Sequence, residues 1–208
     1  MARKVGDKNR DFERKREQIL DALQVRLLRE DAARITMNEM AVAADVSLST
    51  LRHHFGTRSD VVAAVLERLG RLGAPYIASA VAPPEGDVQS SLTWLLHSLL
   101  RGLQYGLSDM MGMGISLGMR DPTVGPAFLQ TILEPVLQSV EARLEHHVRS
   151  GELVATTDVR LAALTLVSPL LLGTLHQRGL CGDTVRPLQL DGMVAAQVRH
   201  FLRGYAAA

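Results

Sequence analysis

Cysteine is almost missing from this chain: Cys181 stands alone among 208 residues. One thiol excludes a disulfide framework within the chain and any multi-cysteine zinc site, and it fits a reducing compartment, so a cytoplasmic protein is expected. Lysine is also scarce, with Lys4, Lys8 and Lys15 the whole complement. No apolar signal-peptide core follows the charged start, because Lys15, Arg16 and Glu17 occupy its place. The longest membrane-like run, Leu161 to Leu175, contains Pro169 and falls short of the roughly 20 residues of a spanning helix, so no membrane partner is expected. No cluster of charged or metal-ligating side chains suggests a metal or a phosphate effector, and no cofactor is implied.

Apolar residues make up 47% and charged residues 22%, with 17 Gly and 8 Pro, which excludes a disordered or collagen-like chain and leaves ample material for a buried core. The charge is unevenly placed. Arg3, Lys4, Lys8, Arg10, Arg14, Lys15 and Arg16 face only Asp7, Asp11 and Glu13 in the first 16 residues. Such a basic arm suits a phosphate backbone, and it equally suits a solvated tail.

Helical periodicity dominates and strand patterns are nearly absent. Phe12, Ile19, Leu20, Leu23, Leu27 and Leu28 recur at helical spacing over about Asp11 to Leu28. Thr36 and Glu39 read as a capping box opening a short helix, Met37 to about Ala44. Asp45 ends that helix and Ser47 caps a third through Leu48, Leu51 and His54, which Gly56 stops. Thr57 to Asp60 open a longer helix whose inward residues are Val61, Val62, Val65, Leu66 and Leu69. Two short helices joined by a three-residue turn are the helix-turn-helix pattern. Leu51 and Phe55, four apart, fix the third helix inward and leave Leu48, Ser49, Arg52 and His53 outward.

Beyond Pro75 and the Pro83 to Gly86 break, further helices are expected over Val88 to about Gly106, Ser108 to Met119, Pro126 to Arg149, from Asp158 with a kink at Pro169, and Leu190 to Gly204. Met110, Met111, Met113 and Met119 alternate with Gly112, Gly114 and Gly118, an adaptable apolar stretch that serves a cavity or an ordinary core.

Residues 16 to 70 resemble the DNA-binding domain of the tetracycline-repressor (TetR) family. The match is carried by Ile19-Leu20-Asp21-Ala22, Thr36, Met40-Ala41, Ala44-Asp45-Val46-Ser47, Thr50-Leu51, His53 to Arg58, and Val61-Val62. The tail after Gly151 resembles the carboxy-terminal domain of the same family more loosely. Three positions depart from the family pattern: Asp45 stands where glycine is usual, Arg52 where tyrosine is usual, and Arg58 where lysine is usual. Asp tolerates a left-handed turn, Arg58 keeps its charge, and Arg52 holds phosphate or pairs with guanine O6 and N7.

The resemblance implies an all-α chain: an N-terminal helix-turn-helix DNA-binding domain of three helices, plus a C-terminal helical ligand-binding and dimerisation domain. Residues 1–56 would form the first, and residues 57–208 the second, with 57–72 as a connecting helix. Leu48, Ser49, Arg52 and His53 would meet the groove of double-stranded DNA, with Asn38 as a further base reader. Thr36, Ser47, Thr50, His54 and Arg58 would position the backbone, although capping alone also explains Thr36 and Ser47. For His53 and His54 the competing reading is one buried and one solvated imidazole; metal binding is disfavoured, since neighbours on a helix point about 100° apart.

A homodimer on a palindromic operator would use Leu161, Leu164, Leu171, Leu175, Val194, Val198 and Leu202, unless these fill the protomer's own core. A small apolar or aromatic effector would meet Trp94, His97, Tyr105, Met110, Met113 and Phe128, for which core packing is the competing account. The function implied is a repressor, not an enzyme. Two alternatives are an adaptor without an operator, and a serine hydrolase built on Gly114-Ile115-Ser116-Leu117-Gly118, which needs a strand before the turn and partners such as Asp158 and His176.

Overall fold

Helix boundaries in the computed structural model follow the capping chemistry closely; it describes residues 5–28, 34–81, 86–156 and 158–207. Arg3 and Lys4 of the basic arm lie outside the described residues. Among the described residues the regular elements are helices, joined by one isolated antiparallel bridge between Leu153 and Ala206.

Helix α1 runs Val5–Leu27, beginning upstream of the Asp11 start expected from periodicity. It buries Ile19, Leu20, Leu23 and Leu27. Helix α2 is Met37–Ala43, and Thr36 closes the expected capping box: its hydroxyl accepts from Glu39 N while Glu39 accepts from Thr36 N at 2.7 Å. The chain leaves α2 through Asp45 at φ 50°, with Asp45 N donating to Val42 O and Val46 N to Ala41 O. That pair of bonds is a Schellman-type ending, which requires a left-handed residue at Asp45. Asp45→Gly is expected to raise stability by about 0.5–1 kcal/mol and Asp45→Val to lower it by more than about 1 kcal/mol, read from thermal melts. Equal melting temperatures for the two variants would exclude backbone strain there.

Helix α3, Leu48–Phe55, is capped by Ser47, which accepts from Thr50 N at 3.0 Å, and it ends at Gly56 with φ 92°. Helix α4, Arg58–Val81, starts with a reciprocal Thr57 and Asp60 cap and continues through Pro75, which sequence reading treats as a break. Helix α5 is Val88–Gly102; a π-helical turn, Leu103–Leu107, follows with a kink at Tyr105 and Gly106, the latter at φ 113°. Helix α6 covers Ser108–Gly118, α7 Val124–Phe128, and a second π-helical turn, Leu129–Leu133, leads into α8, Glu134–Arg149.

Helix α9, Val159–Thr174, is opened by Asp158, which accepts from Arg160 N and Leu161 N. It passes through Pro169 as one helical element, where a kink is expected from sequence. Proline removes the N–H that would reach Thr165 O, and Gln197 Nε2 donates to that carbonyl instead, at 2.8 Å. A third π-helical turn extends the helix to Gly179, so the helical span is Val159–Gly179, 21 residues, within which an 18-residue window has mean hydropathy 1.5. It is therefore longer than the Leu161 to Leu175 run, and long and apolar enough to cross a membrane by length and composition. Its buried face, including Ala162, Ala163, Leu166, Val167 and Leu170, packs instead on α5, α8 and α11. Short α10, Gly182–Val185, and α11, Leu190–Tyr205, complete the chain.

The chain divides into two compact units. The first comprises residues 1–72 and 113–132, the second residues 73–112 and 133–208. In the first unit an unforeseen polar clamp joins α1 to α4: Arg68 donates to Glu17, Asp21 and Gln24 at 3.0, 2.5 and 2.6 Å, and Arg71 to Glu17 at 2.9 Å. Glycine also permits a close approach there, since a Cβ on Gly114 would overlap the buried Phe128 ring. In the second unit α11 packs on α5 and α9, and α8 on α9.

Candidate nucleic-acid interface and effector cavity

Helix α3 displays the face that its spacing predicts. Leu51 is fully buried, Ser49, Arg52 and His53 are exposed, and Leu48 and Thr50 are half-buried. Ser47 Oγ lies 2.8 Å from both Ser49 Oγ and Thr50 Oγ1, so three hydroxyls gather at the helix N-terminus beside its free amides. Amide dipoles and hydroxyls at such an end suit a phosphate oxygen. Asn38 and Thr36 are exposed at the start of α2.

The other end of α3 is braced by a residue that sequence reading placed only in the α1 stripe. Phe12 stacks on His54 at 4.3 Å and meets His53 edge-on at 5.8 Å. His54 is half-buried, and burial, followed by the charge of His53, pushes its pKa down, so the ring is neutral at neutral pH. His53 remains exposed while touching Phe12, so both histidines share one aromatic cluster. Arg16 sets its guanidinium over Phe55, 4.9 Å from the ring centre. Periodicity marks Phe12 as inward but carries no sign of its partner, because the contact joins residues 42 positions apart in sequence.

Arg58 is half-buried and its Nε donates to Ile35 O at 2.8 Å, tying α4 to the segment before α2. Asp121 anchors the same unit from the other side. Its carboxylate accepts from Thr123 N at 2.9 Å and Val124 N at 3.1 Å, and from the Ser59 hydroxyl. These bonds, Ser59 first, hold its pKa below the usual carboxylate range.

None of the residues named for an effector lines the apolar cavity of the second unit. Met113 and Phe128 are buried in the first unit. Trp94, His97, Tyr105 and Met110 belong to the second, where Tyr105 is 87% exposed and Trp94 packs against the Arg143 guanidinium at 5.1 Å. The second unit does contain a wholly apolar cavity of about 10 Å³, lined by Leu99, Leu103, Leu107, Met111, Leu133, Val136, Val167, Leu170 and Leu171. That is room for about one water molecule. Met111 belongs to the Met and Gly stretch singled out in the sequence; the leucines carry no composition signal separating lining from core.

Of the residues named for dimerisation, Leu161 and Leu164 are exposed on α9, Leu171, Leu175 and Leu202 are half-buried, and Val194 and Val198 are buried in the protomer's own core. Leu172, 69% exposed, extends the α9 face. Ser116 lies within helix α6, exposed, so the strand and sharp turn of a nucleophile elbow are not formed around it.

Residues 103–207 match the family described as AefR-like transcriptional repressor, C-terminal domain. No curated protein matches the chain. Among solved structures, a protein from Mesorhizobium loti MAFF303099 ascribed to the TetR family of transcriptional regulators is similar at TM-score 0.78 and 22% identity, over 94% of this chain and 98% of that one. SmeT in complex with triclosan aligns at TM-score 0.64 and 24% identity, over 92% of this chain and 91% of that one. The fatty acid degradation regulator FadR from Bacillus halodurans aligns at TM-score 0.68 and 19% identity, over 91% and 95%. The family match spans half of the chain, the solved structures share the whole fold, and the helix-turn-helix stands at the expected residues: the chain belongs to the TetR family of transcriptional regulators.

Proposed function

We propose that this chain is a homodimeric, cytoplasmic repressor that binds a palindromic operator in double-stranded DNA and leaves it when a small apolar or aromatic effector binds. The observation that carries the reading is the exposed face of α3, where Ser49, Arg52 and His53 stand over a fully buried Leu51 beneath a hydroxyl-lined helix N-terminus. Residues 1–56 are the DNA-binding domain in this reading and residues 57–208 the regulatory one. Ser47, Thr50 and Arg58 hold backbone positions, while Asn38, Leu48, Ser49, Arg52 and His53 face the bases. The test is selection of bound duplexes from a randomised pool at near-physiological salt. Enrichment of a palindrome is expected, and sequence-blind retention would overturn the reading in favour of an adaptor.

The effector site in this reading is the apolar cavity between α5, α6, α8 and α9. In its closed form it admits no drug-sized ligand, so binding must open it. The π-helical turn Leu103–Leu107 and the kink at Tyr105–Gly106 form the wall that can yield. The triclosan bound to SmeT, a relative of the same fold, supports a small aromatic class. Such a ligand represses operator binding only if it prefers the opened conformation. The Ser59–Asp121 bond gives the first unit a means of responding as one piece.

The dimer in this reading pairs the outer faces of α9, through Leu161, Leu164 and Leu172. Leu172→Glu is expected to shift sedimentation from dimer to monomer and to abolish operator retention with little change in helical content. A Leu172→Glu protein that stays dimeric would remove α9 from the interface.

A further inference from the structure

The first unit bears an open polar cleft of about 400 Å³ between α1, the end of α3, α4 and the α7 segment. That size lies in the range of small-molecule sites. Its floor is one face of α4: Asp60, Ala63, Ala64 and Glu67 at i, i+3, i+4 and i+7, with two alanines leaving the middle unfilled. The Asp60 carboxylate already accepts from Thr57 N and Thr57 Oγ1, at 2.8 and 2.6 Å, and belongs to the α4 cap. Glu67 is exposed and has no ion pair or hydrogen bond among the described residues. Across the cleft, Arg16 lies on the Phe55 ring and has no acidic partner among the described residues. The Gln130 amide on the α7 side is likewise uncommitted.

We infer that this cleft is a second binding site, distinct from the apolar cavity, for a small zwitterion of the amino-acid class. Its carboxylate pairs with Arg16, whose planar fork donates to two oxygens side by side. Its ammonium group pairs with Glu67, and its side chain lies over Ala63, Ala64 and Phe55 within reach of Gln130. A simple anion would be repelled by Glu67 and Asp60, and a simple cation would leave Arg16 unpaired; a ligand carrying both charges satisfies both walls. Because the walls include the last turn of α3, an occupied cleft holds that helix against α4, so the ligand acts on the DNA-binding element itself.

The test is calorimetric titration of the full chain, without DNA, with each of the twenty common L-amino acids in turn. At least one is expected to bind saturably, with Kd below about 1 mM, or roughly −4 kcal/mol. Glu67→Gln and Arg16→Gln should each weaken that binding at least about tenfold while leaving the circular dichroism spectrum intact. The same molecule without its amino group, or without its carboxylate, should lose binding to a similar degree. Failure of every amino acid to bind, binding unchanged in both variants, or full-strength binding of the acid alone would each overturn the proposal. None of these outcomes depends on an operator, so the repressor reading stands or falls separately.

Discussion

Replacing Arg52 with alanine is expected to weaken operator binding by about 1–3 kcal/mol, or roughly 5- to 150-fold, and to relax selectivity at one base pair in each half-site. Arg52 occupies the second turn of α3, exposed, between Ser49 and His53, and engages no acid among the described residues. The hydroxyls that suit phosphate lie one turn earlier, at Ser47, Ser49 and Thr50. A guanidinium beyond them reaches farther than a hydroxyl and presents the donor pair that guanine O6 and N7 accept. The measurement is binding of wild type and Arg52→Ala to the selected operator and to its single-base variants across a salt series. Equal weakening on every sequence, with the salt slope reduced by about one, would reassign Arg52 to the phosphate backbone. Arg52→Lys separates the two cases further, since lysine keeps the charge but loses the bidentate pair.

The helix-turn-helix region was legible because its signals are local. Capping boxes at Thr36 and Thr57, the N-cap at Ser47 and the left-handed turn at Asp45 each involve residues within five positions of one another, and each is formed as the sequence predicts. What escaped depends on distant pairing. Arg68 meets Glu17, Asp21 and Gln24 across more than forty residues, a set of partners that no spacing within α4 announces. Pro169 is a further case: the sequence announces the lost backbone bond, but not that Gln197 on another helix gives Thr165 O a replacement donor. The apolar cavity of the second unit was the least legible. Trp94 and Tyr105 are chemically conspicuous and exposed, whereas the cavity is lined largely by leucines indistinguishable in sequence from those of the core.

A His147→Leu substitution is expected to destabilise the protein by about 2–3 kcal/mol at neutral pH, or about 4–12 °C in Tm, and to flatten its stability curve in acid. His147 is buried, 1% exposed, in the centre of a polar chain within the second unit. Its Nδ1 donates to the Glu152 carboxylate at 2.7 Å, and its Nε2 is hydrogen-bonded to Ser91 Oγ at 2.8 Å, which in turn accepts from Arg143 Nη1 at 3.3 Å. Glu152 also takes Ser150 Oγ at 2.7 Å and the first amide of α5, Val88 N, at 2.9 Å, so one carboxylate ties the end of α8 to the start of α5. The Ser–His–Glu order resembles a hydrolytic relay, but Ser91 is fully buried within α5 and no substrate can reach it. The chain is structural, and leucine in place of the imidazole takes one hydrogen-bond partner from a buried hydroxyl and one from the carboxylate.

The sign of the acid effect follows from Glu152. The hydrogen bond from His147, and then that from Ser150, holds its carboxyl below the ordinary value of 4.5, so the folded state prefers the ionised form more than the unfolded chain does. That preference stabilises the fold fully above about pH 4.5 and disappears as pH falls through the lowered folded value. Without His147 the main cause of the lowering is gone, and wild type and variant should converge in stability as pH drops from about 5 to 3. Asp60 and Asp121 are held low by Thr57 and Ser59 in the first unit, so they retain their own acid sensitivity in both proteins. Denaturant melts of the two proteins at several pH values decide the matter, and parallel curves would mean that His147 contributes only packing.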